Sequence, residues 1–251
     1  MPGWIVPPPK EPAKTARDLE RERRAKLEWL VAQGLVKSER IRQALLKVRR
    51  EDFVPRHYRD YAYLEVPLPL PGRDSTISCP HSYPLFYEPL GLNAGHRFLE
   101  VGTGSGYGAA IAREVVGREG LVVSVELDPA TLAFARANLA QAGYSDIVLV
   151  EGDGGRGHAA LAPYDRIAVT AACAEIPPPL IEQLKIGGRL IAPVIERERQ
   201  DLVLLQKRVA GPVRTVICEV LYVSLHGAYG AADVNRAESA AADPHRLTER
   251  T

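Results

Sequence analysis

The chain has 251 residues, of which 46% are hydrophobic, enough for a buried core, and this excludes a disordered polymer. Charged residues balance to a formal net charge of +1, which excludes a strong overall field for nucleic acid or membranes. The three cysteines are too few and too scattered for a disulfide framework. The N-terminus lacks a signal-peptide pattern, and no apolar run reaches the ~20 residues of a membrane helix. We expect a soluble cytoplasmic protein that binds neither membranes nor nucleic acid.

The first 60 residues carry 15 basic and 9 acidic side chains, so the front of the chain is basic and the remainder mildly acidic. Residues 1–14 are rich in proline and are predicted to form a flexible arm. Residues 15–60 are predicted to form a helical extension. Recurring leucines indicate a first helix from about Thr15 to Gln33, and Ser38 can cap a second helix that ends at Phe53. The glutamates between the arginines favour a solvated helix face over a nucleic-acid surface.

The remainder of the chain divides into three parts. Residues 61–96 contain many prolines and are expected to form a long loop over a binding site, followed by a lead-in helix. From residue 97 to 230, short apolar runs alternate with helical stretches, which is typical of a parallel sheet with right-handed crossovers. Residues 231–251 are expected to be a flexible tail. Strands are predicted at residues 98–101, 121–126, 147–150, 166–170 and 189–193, with an antiparallel pair at 202–207 and 216–225 on one edge.

A glycine-rich turn follows the first strand of this region. Leu99–Tyr107 reads LEVGTGSGY and leads directly into a helical run. Glycine permits backbone conformations that other residues avoid, and it lets a ligand approach the main chain. Glu126 ends the second strand and Asp153 follows the third, so both acids fall at the carboxyl edge, where open α/β sheets bind ligands. We therefore expect a cofactor at this edge.

Two cofactors compete for this arrangement. A dinucleotide fingerprint has the spacing G-x-G-x-x-G, but here Gly104 is followed by Gly106 and then Tyr107, so the spacing fails for NAD. Glu100 lies beside the turn, where a carboxylate repels a pyrophosphate but attracts a sulfonium or ammonium cation. Glu126 can accept hydrogen bonds from ribose hydroxyls. S-adenosylmethionine, which has a ribose, an adenine and a positive centre, fits better.

The segment Glu100–Tyr107 resembles the first motif of Rossmann-like S-adenosylmethionine-dependent methyltransferases, and further segments narrow the resemblance to the protein-L-isoaspartate O-methyltransferases. The resemblance covers roughly residues 40–228. It implies a three-layer α/β fold with a mostly parallel sheet, an antiparallel C-terminal edge and a cofactor-binding core at residues 97–230. The further segments are Ala62-Tyr63, Leu68-Pro69, Thr76-Ile77-Ser78, Pro80-His81, Gly152-Asp153-Gly154, Ala162–Asp165, Gln183–Gly188, Pro193, Gln200, Leu202 and Tyr222–Leu225.

The family pattern also implies functional residues. Ser78 matches the position of the active-site serine, which contacts S-adenosylmethionine, and the product is S-adenosylhomocysteine. The other implied cofactor contacts are Glu100, Gly102, Thr103, Gly104, Ser105, Gly106, Glu126, Leu127, Asp153 and Gly154. The implied substrate contacts are Tyr63, Thr76, Ile77, Pro80, His81 and His226. Structural roles stay open for three of these residues: Ser78 can cap the following helix, Asp153 can cap a turn, and His226 can lie in a surface turn.

The resemblance implies a repair activity, in which a methyl group is transferred to the α-carboxylate of isoaspartyl residues in damaged peptides and proteins. We expect the chain to act as a monomer. That carboxylate has an unperturbed pKa near ~3.3–3.9 and is already ionised at pH 7, so no general base is required. The tasks left to the chain are alignment, partial desolvation and exclusion of water. An acceptor motif of the Asn/Asp-Pro-Pro-Tyr/Phe type, as in nucleic-acid methyltransferases, is missing from the sequence.

Several positions differ from the usual family pattern, and they cluster where substrate would bind. These positions are Glu65, Ser75, Cys79 and the segment Ser82–Phe86, where Pro84 is expected to disturb a helix. Two alternatives therefore stay open: a methyltransferase with a different carboxylate, peptide or small-molecule acceptor, and a non-catalytic S-adenosylmethionine-binding interaction module. Cys79 and His81 alone do not complete a tetrahedral set of ligands, so no metal site is predicted.

Overall fold

The structure is a computed structural model that describes residues 6–72 and 75–230. The start of the predicted arm, residues 1–5, and the predicted tail, residues 231–251, lie outside the described residues. Within the described ranges, no helix combines the length and the apolar character needed to cross a membrane.

Both helices predicted near the N-terminus are present, as α1 (Ala16–Ala32) and α2 (Glu39–Lys47). Thr15 caps α1 through a capping box, and the Ser38 hydroxyl accepts a hydrogen bond from the first turn of α2. The second helix ends earlier than predicted, because Val48 is buried in an extended conformation. Two 3-10 helices, Arg50–Asp52 and Arg56–Tyr61, carry the chain onward.

A short segment in front of α1 is fixed to the second 3-10 helix. The Asp60 carboxylate accepts hydrogen bonds from the backbone N–H groups of Ala13 and Lys14, at 2.9 and 3.1 Å. The backbone N–H of Lys10 donates to the His57 carbonyl at 3.0 Å. The end of the predicted arm is therefore hydrogen-bonded to the helical extension.

A small hairpin, β1 (Leu68–Pro69) with β2 (Thr76–Ile77), forms in the predicted loop. A separate seven-stranded sheet forms the centre of the molecule, and its strands are β3 (Arg97–Val101), β4 (Leu121–Glu126), β5 (Val148–Glu151), β6 (Tyr164–Val169), β7 (Leu184–Glu196), β8 (Arg199–Gln206) and β9 (Val213–Val220). They lie side by side in the order β5-β4-β3-β6-β7-β8-β9. The first five strands of this order pair in parallel, and β8 and β9 pair antiparallel, which confirms the predicted fold class.

Apolar residues cover both faces of the sheet, as a parallel sheet between helices requires. Phe98 belongs to one buried cluster with the N-terminal helices, whereas its neighbour Leu99 belongs to a second cluster with Leu180. Successive side chains of β3 therefore point to opposite faces of the sheet, as they do in any β-strand. The remaining helices are α3 (Ser82–Leu90), α4 (Tyr107–Val116), α5 (Pro129–Ala142) and α6 (Pro178–Glu182).

Two expectations from the sequence are corrected. Pro84 does not disturb α3, because it is the third residue of that helix, where backbone N–H groups have no partner within the helix. The last strand ends at Val220 rather than at residue 225. The chain then turns back across the sheet, where the N–H of Leu225 donates to the carbonyl of Ala172 at 2.7 Å. This return brings Tyr222 to the carboxyl edge.

Candidate active site

The glycine-rich turn between β3 and α4 has the backbone conformation that its sequence predicts. Gly102, Gly104 and Gly106 all have positive φ, at 92°, 54° and 85°. A side chain at Gly106 would collide with Leu139 of α5 at 2.9 Å, whereas a side chain at Gly104 would meet only Leu70 and the Thr76 carbonyl, at 3.7 Å. The open side of the turn therefore faces the lid loop, which we define as residues 61–72 and 75–81.

Glu126 lies at the carboxyl end of β4 and is bound to the glycine turn. One oxygen accepts a hydrogen bond from the N–H of Gly104 at 2.9 Å, and the other accepts from the N–H groups of Leu127 and Asp128, at 2.9 and 3.1 Å. A carboxylate has about four lone-pair positions, so Glu126 keeps a position for a further donor. The Leu127 side chain next to it is 45% exposed.

Glu100 is a buried carboxylate in the middle of the sheet, and it is only 2% exposed. It accepts a hydrogen bond from the Ser124 hydroxyl at 2.7 Å and a longer one from the Tyr87 hydroxyl at 3.4 Å. Burial raises the pKa of Glu100 to about 8. In the described part of the chain, no cationic side chain forms an ion pair with Glu100. An unpaired buried carboxylate is favourable for a bound cation.

Asp153 follows β5 at the same edge, but its carboxylate is largely occupied by the protein. One oxygen accepts from the N–H of Gly155 at 2.9 Å, so the turn-capping alternative is present, and the other accepts from the N–H of Ala228 at 2.8 Å. Gly154 packs against Val101, where a side chain would come within 2.4 Å. Asp153 thus joins the C-terminal segment to the sheet edge.

Ser78 lies just after β2, and a buried arginine holds its backbone. Arg50 is 1% exposed, and its guanidinium donates to the carbonyls of Ser78 and Ala62, at 2.7 and 2.6 Å. The guanidinium also lies near the rings of Tyr83 and Tyr107, with centroids at 5.7 and 5.3 Å. Arg50 was not predicted from the sequence, because its contacts with Ala62 and Ser78 form only when these distant segments pack together.

The helix-capping alternative for Ser78 is not used. The N-cap of α3 is His81, and no side chain caps this helix end. Instead, Ser78 lies on the wall of a small cavity that is partly open to solvent. Helix α3 contributes four side chains to this cavity, and the carboxyl edge contributes Thr170 and Tyr222. The full lining is Ser78, Ser82, Tyr83, Phe86, Tyr87, Glu100, Thr170 and Tyr222.

Thr170 and Tyr222 were assigned no role from the sequence. Thr170 immediately follows β6 and donates to the carbonyl of Gly102 at 3.0 Å, so its position at the strand end was a usable signal. Tyr222 is held by Gln200, whose side-chain amide exchanges two hydrogen bonds with the Tyr222 backbone, at 2.7 and 3.0 Å. Gln200 and Tyr222 both belong to the segments that carry the family resemblance, yet their pairing follows only from the fold.

The residues implied for substrate contact are dispersed. Tyr63 does not line the Ser78 cavity: its side chain is 7% exposed, and its hydroxyl donates to the Glu51 carboxylate. Ile77 is buried in the core, and Thr76 is exposed on the lid hairpin. His226 is exposed beyond the last strand, as its surface alternative implies. Pro80 and His81 are the second and third residues after Ser78, and Pro80 is buried.

The remaining residues of the glycine turn have structural partners. Thr103 exchanges a hydrogen bond with Ser124 at 2.7 Å, and the Ser105 hydroxyl accepts from the N–H of Tyr107 at 3.3 Å. Both side chains therefore have partners within the protein. The chemistry of the edge fits S-adenosylmethionine. Glu126 keeps a lone-pair position that suits a ribose hydroxyl, Glu100 is an unpaired carboxylate on the cavity wall, and the backbone between them is accessible at Gly104.

Comparisons with known proteins agree with this geometry. The family model described as protein-L-isoaspartate(D-aspartate) O-methyltransferase (PCMT) matches residues 21–230. Protein-L-isoaspartate O-methyltransferase 1 of Archaeoglobus fulgidus is 43% identical over 213 residues, which are 85% of this chain and 97% of that protein. Protein-L-isoaspartate O-methyltransferase of Staphylothermus marinus is 44% identical over 222 residues, covering 85% of this chain and 98% of the relative.

Two solved structures have the same overall fold. One protein-L-isoaspartate O-methyltransferase superposes with a TM-score of 0.78 at 35% identity, covering 86% of this chain and 69% of the other. A putative protein-L-isoaspartate O-methyltransferase from Plasmodium falciparum, in complex with S-adenosyl-L-homocysteine, superposes with a TM-score of 0.74 at 23% identity, covering 81% and 98%. The family predicted from the sequence is confirmed: this chain belongs to the protein-L-isoaspartate(D-aspartate) O-methyltransferase family.

Proposed function

We propose that this chain uses S-adenosylmethionine to methylate the α-carboxylate of isoaspartyl residues in damaged peptides and proteins. The observation that carries the proposal is one cavity that both Ser78 and the buried carboxylate of Glu100 line, next to the glycine turn whose Gly104 N–H donates to Glu126. Family membership supports the choice of acceptor. The isoaspartyl carboxylate needs no general base, so a cavity without a histidine–carboxylate pair is adequate for this reaction.

The residues of the chain position the reactants. When it is bound, S-adenosylmethionine supplies the electrophilic methyl group. Glu126 accepts hydrogen bonds from the ribose, and Glu100 provides negative charge in a site where burial strengthens electrostatic interactions. Ser78 donates its hydroxyl proton in a hydrogen bond to the acceptor carboxylate, and the lid loop with α3 excludes water. Alignment of this kind can contribute up to ~7–11 kcal/mol to the lowering of the barrier.

The reaction leaves a methyl ester on the isoaspartyl residue, and the remaining chemistry does not require the chain. The following backbone nitrogen attacks the ester carbonyl, methanol departs, and a succinimide forms. Water then opens the succinimide, partly to normal aspartate. The proposed biological role, repair of aged proteins, rests on this sequence of steps.

Replacement of Ser78 by alanine tests the catalytic assignment. We expect Ser78→Ala to lower kcat for an isoaspartyl peptide roughly 10- to 150-fold, the equivalent of about 1.5–3 kcal/mol for a hydrogen bond to a charged group. Affinity for S-adenosylhomocysteine should change less. Steady-state kinetics and calorimetry measure the two quantities, and Ser145→Ala, at an exposed serine after α5, is the control. An unchanged kcat would remove Ser78 from the mechanism.

Replacement of Glu126 by alanine tests the ribose assignment. We expect Glu126→Ala to weaken S-adenosylhomocysteine binding by about 1.5–3 kcal/mol, because a charge-assisted hydrogen bond is lost and Gly104 loses its acceptor. Glu151→Ala is a matched control, since Glu151 pairs with Glu126 in register at the end of β5 and is exposed. If calorimetry gave the same affinity for both variants as for the unchanged protein, the assignment would be refuted.

We also propose that the chain acts as a monomer in the cytoplasm on protein substrates, without nucleic-acid or membrane partners. One observation supports the compartment: all three cysteines are free, as a reducing compartment favours. Residues 61–96 serve as the lid and lead-in helix. Residues 15–60 hold the lid in place through Arg50, which donates to the carbonyls of Ala62 and Ser78.

The repair reaction can be followed on one synthetic isoaspartyl peptide. With S-adenosylmethionine and the protein, mass spectrometry should detect the addition of one methyl group, followed by loss of methanol. Chromatography should then detect a growing fraction of the normal aspartyl peptide over repeated cycles. A methylated product that is stable and never converts to the aspartyl form would indicate a different acceptor atom, and the proposed function would be wrong.

A further inference from the structure

Three side chains with metal-binding atoms converge beside Ser78. Glu65 contributes a carboxylate oxygen from the start of the lid loop, and Cys79 and His81 contribute a sulfur and a nitrogen from its end. These atoms all lie within 4.8 Å of one another. Sequence spacing alone revealed only Cys79 and His81, because Glu65 is separated from His81 by 16 positions. The fold of the lid loop brings the third ligand to the other two.

The cluster is accessible from solvent on one side. The side chains of Glu65 and His81 are 30% and 34% exposed, whereas Cys79 is buried beneath them at 6%. An ion can therefore enter past the carboxylate and the imidazole and reach the sulfur below. This arrangement satisfies the need of a metal site for an entry path.

The two ends of the lid loop are already joined at this point. His81 Nδ1 lies 2.7 Å from Glu65 Oε1, which also accepts from the backbone N–H of His81 at 3.1 Å. The other oxygen of Glu65 accepts from Lys26 Nζ at 2.8 Å. The ammonium group of Lys26 opposes a second cation, but it also lies 4.6 Å from the Trp29 ring centroid, a position that it can keep without Glu65.

The distances between the three ligand atoms are close to those of a zinc site. Zinc bonds of about 2.0–2.3 Å in tetrahedral geometry place ligand atoms about 3.3–3.6 Å apart. The contact between His81 and Glu65 would have to lengthen from 2.7 Å by under about 1 Å, and Cys79 would have to approach by at most about 1.5 Å. Side-chain rotations supply movements of this size.

We propose that Glu65, Cys79 and His81 bind Zn²⁺ or a similar thiophilic divalent cation, with water as the fourth ligand, and that the bound ion inhibits turnover by fastening the lid loop. On binding, the sulfur–metal bond replaces the S–H bond, and the proton passes to the buffer. The ion would connect the start of the lid loop with the residues that flank Ser78. The inhibitory consequence rests on the proposed function, whereas metal binding does not.

Binding is tested by calorimetry with Zn²⁺ and by absorption spectroscopy with Co²⁺ on the full chain. We expect one tight site per chain and a thiolate-to-cobalt charge-transfer band. Cys79→Ala should abolish the band and weaken zinc binding by at least ~10- to 100-fold, since loss of a direct ligand should exceed the loss of an outer-shell partner. Cys218→Ala, a half-buried cysteine on β9, is the matched control and should keep both signals.

A second pair of variants distinguishes the loss of a metal ligand from a loss of folding. Cys79→Ser keeps the size of the side chain, and Glu65→Gln keeps its shape, and both should weaken zinc binding without loss of the circular dichroism signal. The proposal is overturned if the unchanged protein shows no tight site, or if folded Cys79 variants bind zinc as tightly as the unchanged protein does.

The inhibitory consequence has its own readout. Zn²⁺ at saturation should lower the rate of isoaspartyl methylation in the unchanged protein and in Cys218→Ala. The rate of Cys79→Ala, compared with its own rate without metal, should not fall when Zn²⁺ is added. Binding without inhibition would overturn the lid-fastening part. If no methylation occurred even without metal, the proposed function would fail, and the calorimetric and spectroscopic results would still decide the metal site.

Discussion

Replacement of Glu100 by glutamine should weaken S-adenosylmethionine binding and at the same time stabilise the fold in alkaline solution. The glutamine keeps the size of the side chain and the hydrogen bond from Ser124, but it removes the negative charge. We expect the affinity to fall by about 1.5–3 kcal/mol, roughly 10- to 150-fold, because a cation in a buried site loses its counter-charge. Calorimetry measures this loss, and Glu196→Gln, at the exposed end of β7, is the control.

The pH dependence of folding stability provides a second test of Glu100. Burial raises the pKa of Glu100 to about 8 in the folded protein, against an ordinary value of 4.5. Between these values the folded state binds more protons at this group than the unfolded state, so its contribution to stability falls as pH rises, by about 1.4 kcal/mol per pH unit. Denaturant unfolding from pH 5 to pH 9 should show this loss in the unchanged protein and less of it in Glu100→Gln.

Cofactor affinity should follow the opposite trend. Below pH 8 Glu100 is largely protonated in the free protein, and a bound cation favours its ionised form. The affinity for S-adenosylmethionine should therefore rise from pH 6 to pH 9 in the unchanged protein and stay level in Glu100→Gln. Parallel pH profiles in the two proteins would show that Glu100 does not interact with the cofactor.

Replacement of Arg50 by methionine should have the largest effect on activity and stability together. It leaves the buried carbonyl of Ala62 and the partly buried carbonyl of Ser78 without their donor, at a cost of up to about 1–3 kcal/mol each, so the free energy of unfolding should fall by about 1–6 kcal/mol. The Ser78 backbone is then no longer held, and a displacement of ~1 Å in a positioning segment can lower kcat roughly 100-fold.

The control and a conservative variant separate positioning from folding in the Arg50 experiment. Arg49→Met removes a neighbouring arginine that is 61% exposed and paired with Asp52, so it should change little. Arg50→Lys keeps the charge but cannot hold both carbonyls in one planar group, and its kcat should lie between the others. If kcat were unchanged in folded Arg50→Lys and Arg50→Met, Arg50 would not position Ser78.

The parts of the site that the sequence predicted correctly depend on local chemistry. The glycine turn needs positive φ at Gly102, Gly104 and Gly106, and only local sequence is required to recognise it. Glu126 was placed at the carboxyl edge because a parallel sheet brings its strand ends together. The helix starts at Thr15 and Ser38 follow from capping chemistry, which acts within one turn.

The parts that the sequence did not predict depend on contacts between distant segments. Arg50 meets the Ser78 carbonyl across 28 positions, and Glu65 meets His81 across 16. Tyr222 reaches the cavity because the chain leaves β9 early and crosses the sheet, which no local pattern indicates. Pro84 was misjudged for a simpler reason: the position of a proline within a helix decides its effect, and the exact start of α3 was unknown.

The most direct test of the proposed activity compares two peptides that differ at one residue. A peptide with isoaspartate and its twin with normal aspartate are each incubated with the protein and methyl-labelled S-adenosylmethionine, and the label bound to peptide is counted. The proposed function predicts label on the isoaspartyl peptide alone. Equal labelling of both peptides, or no label on either while S-adenosylhomocysteine still binds, would contradict it.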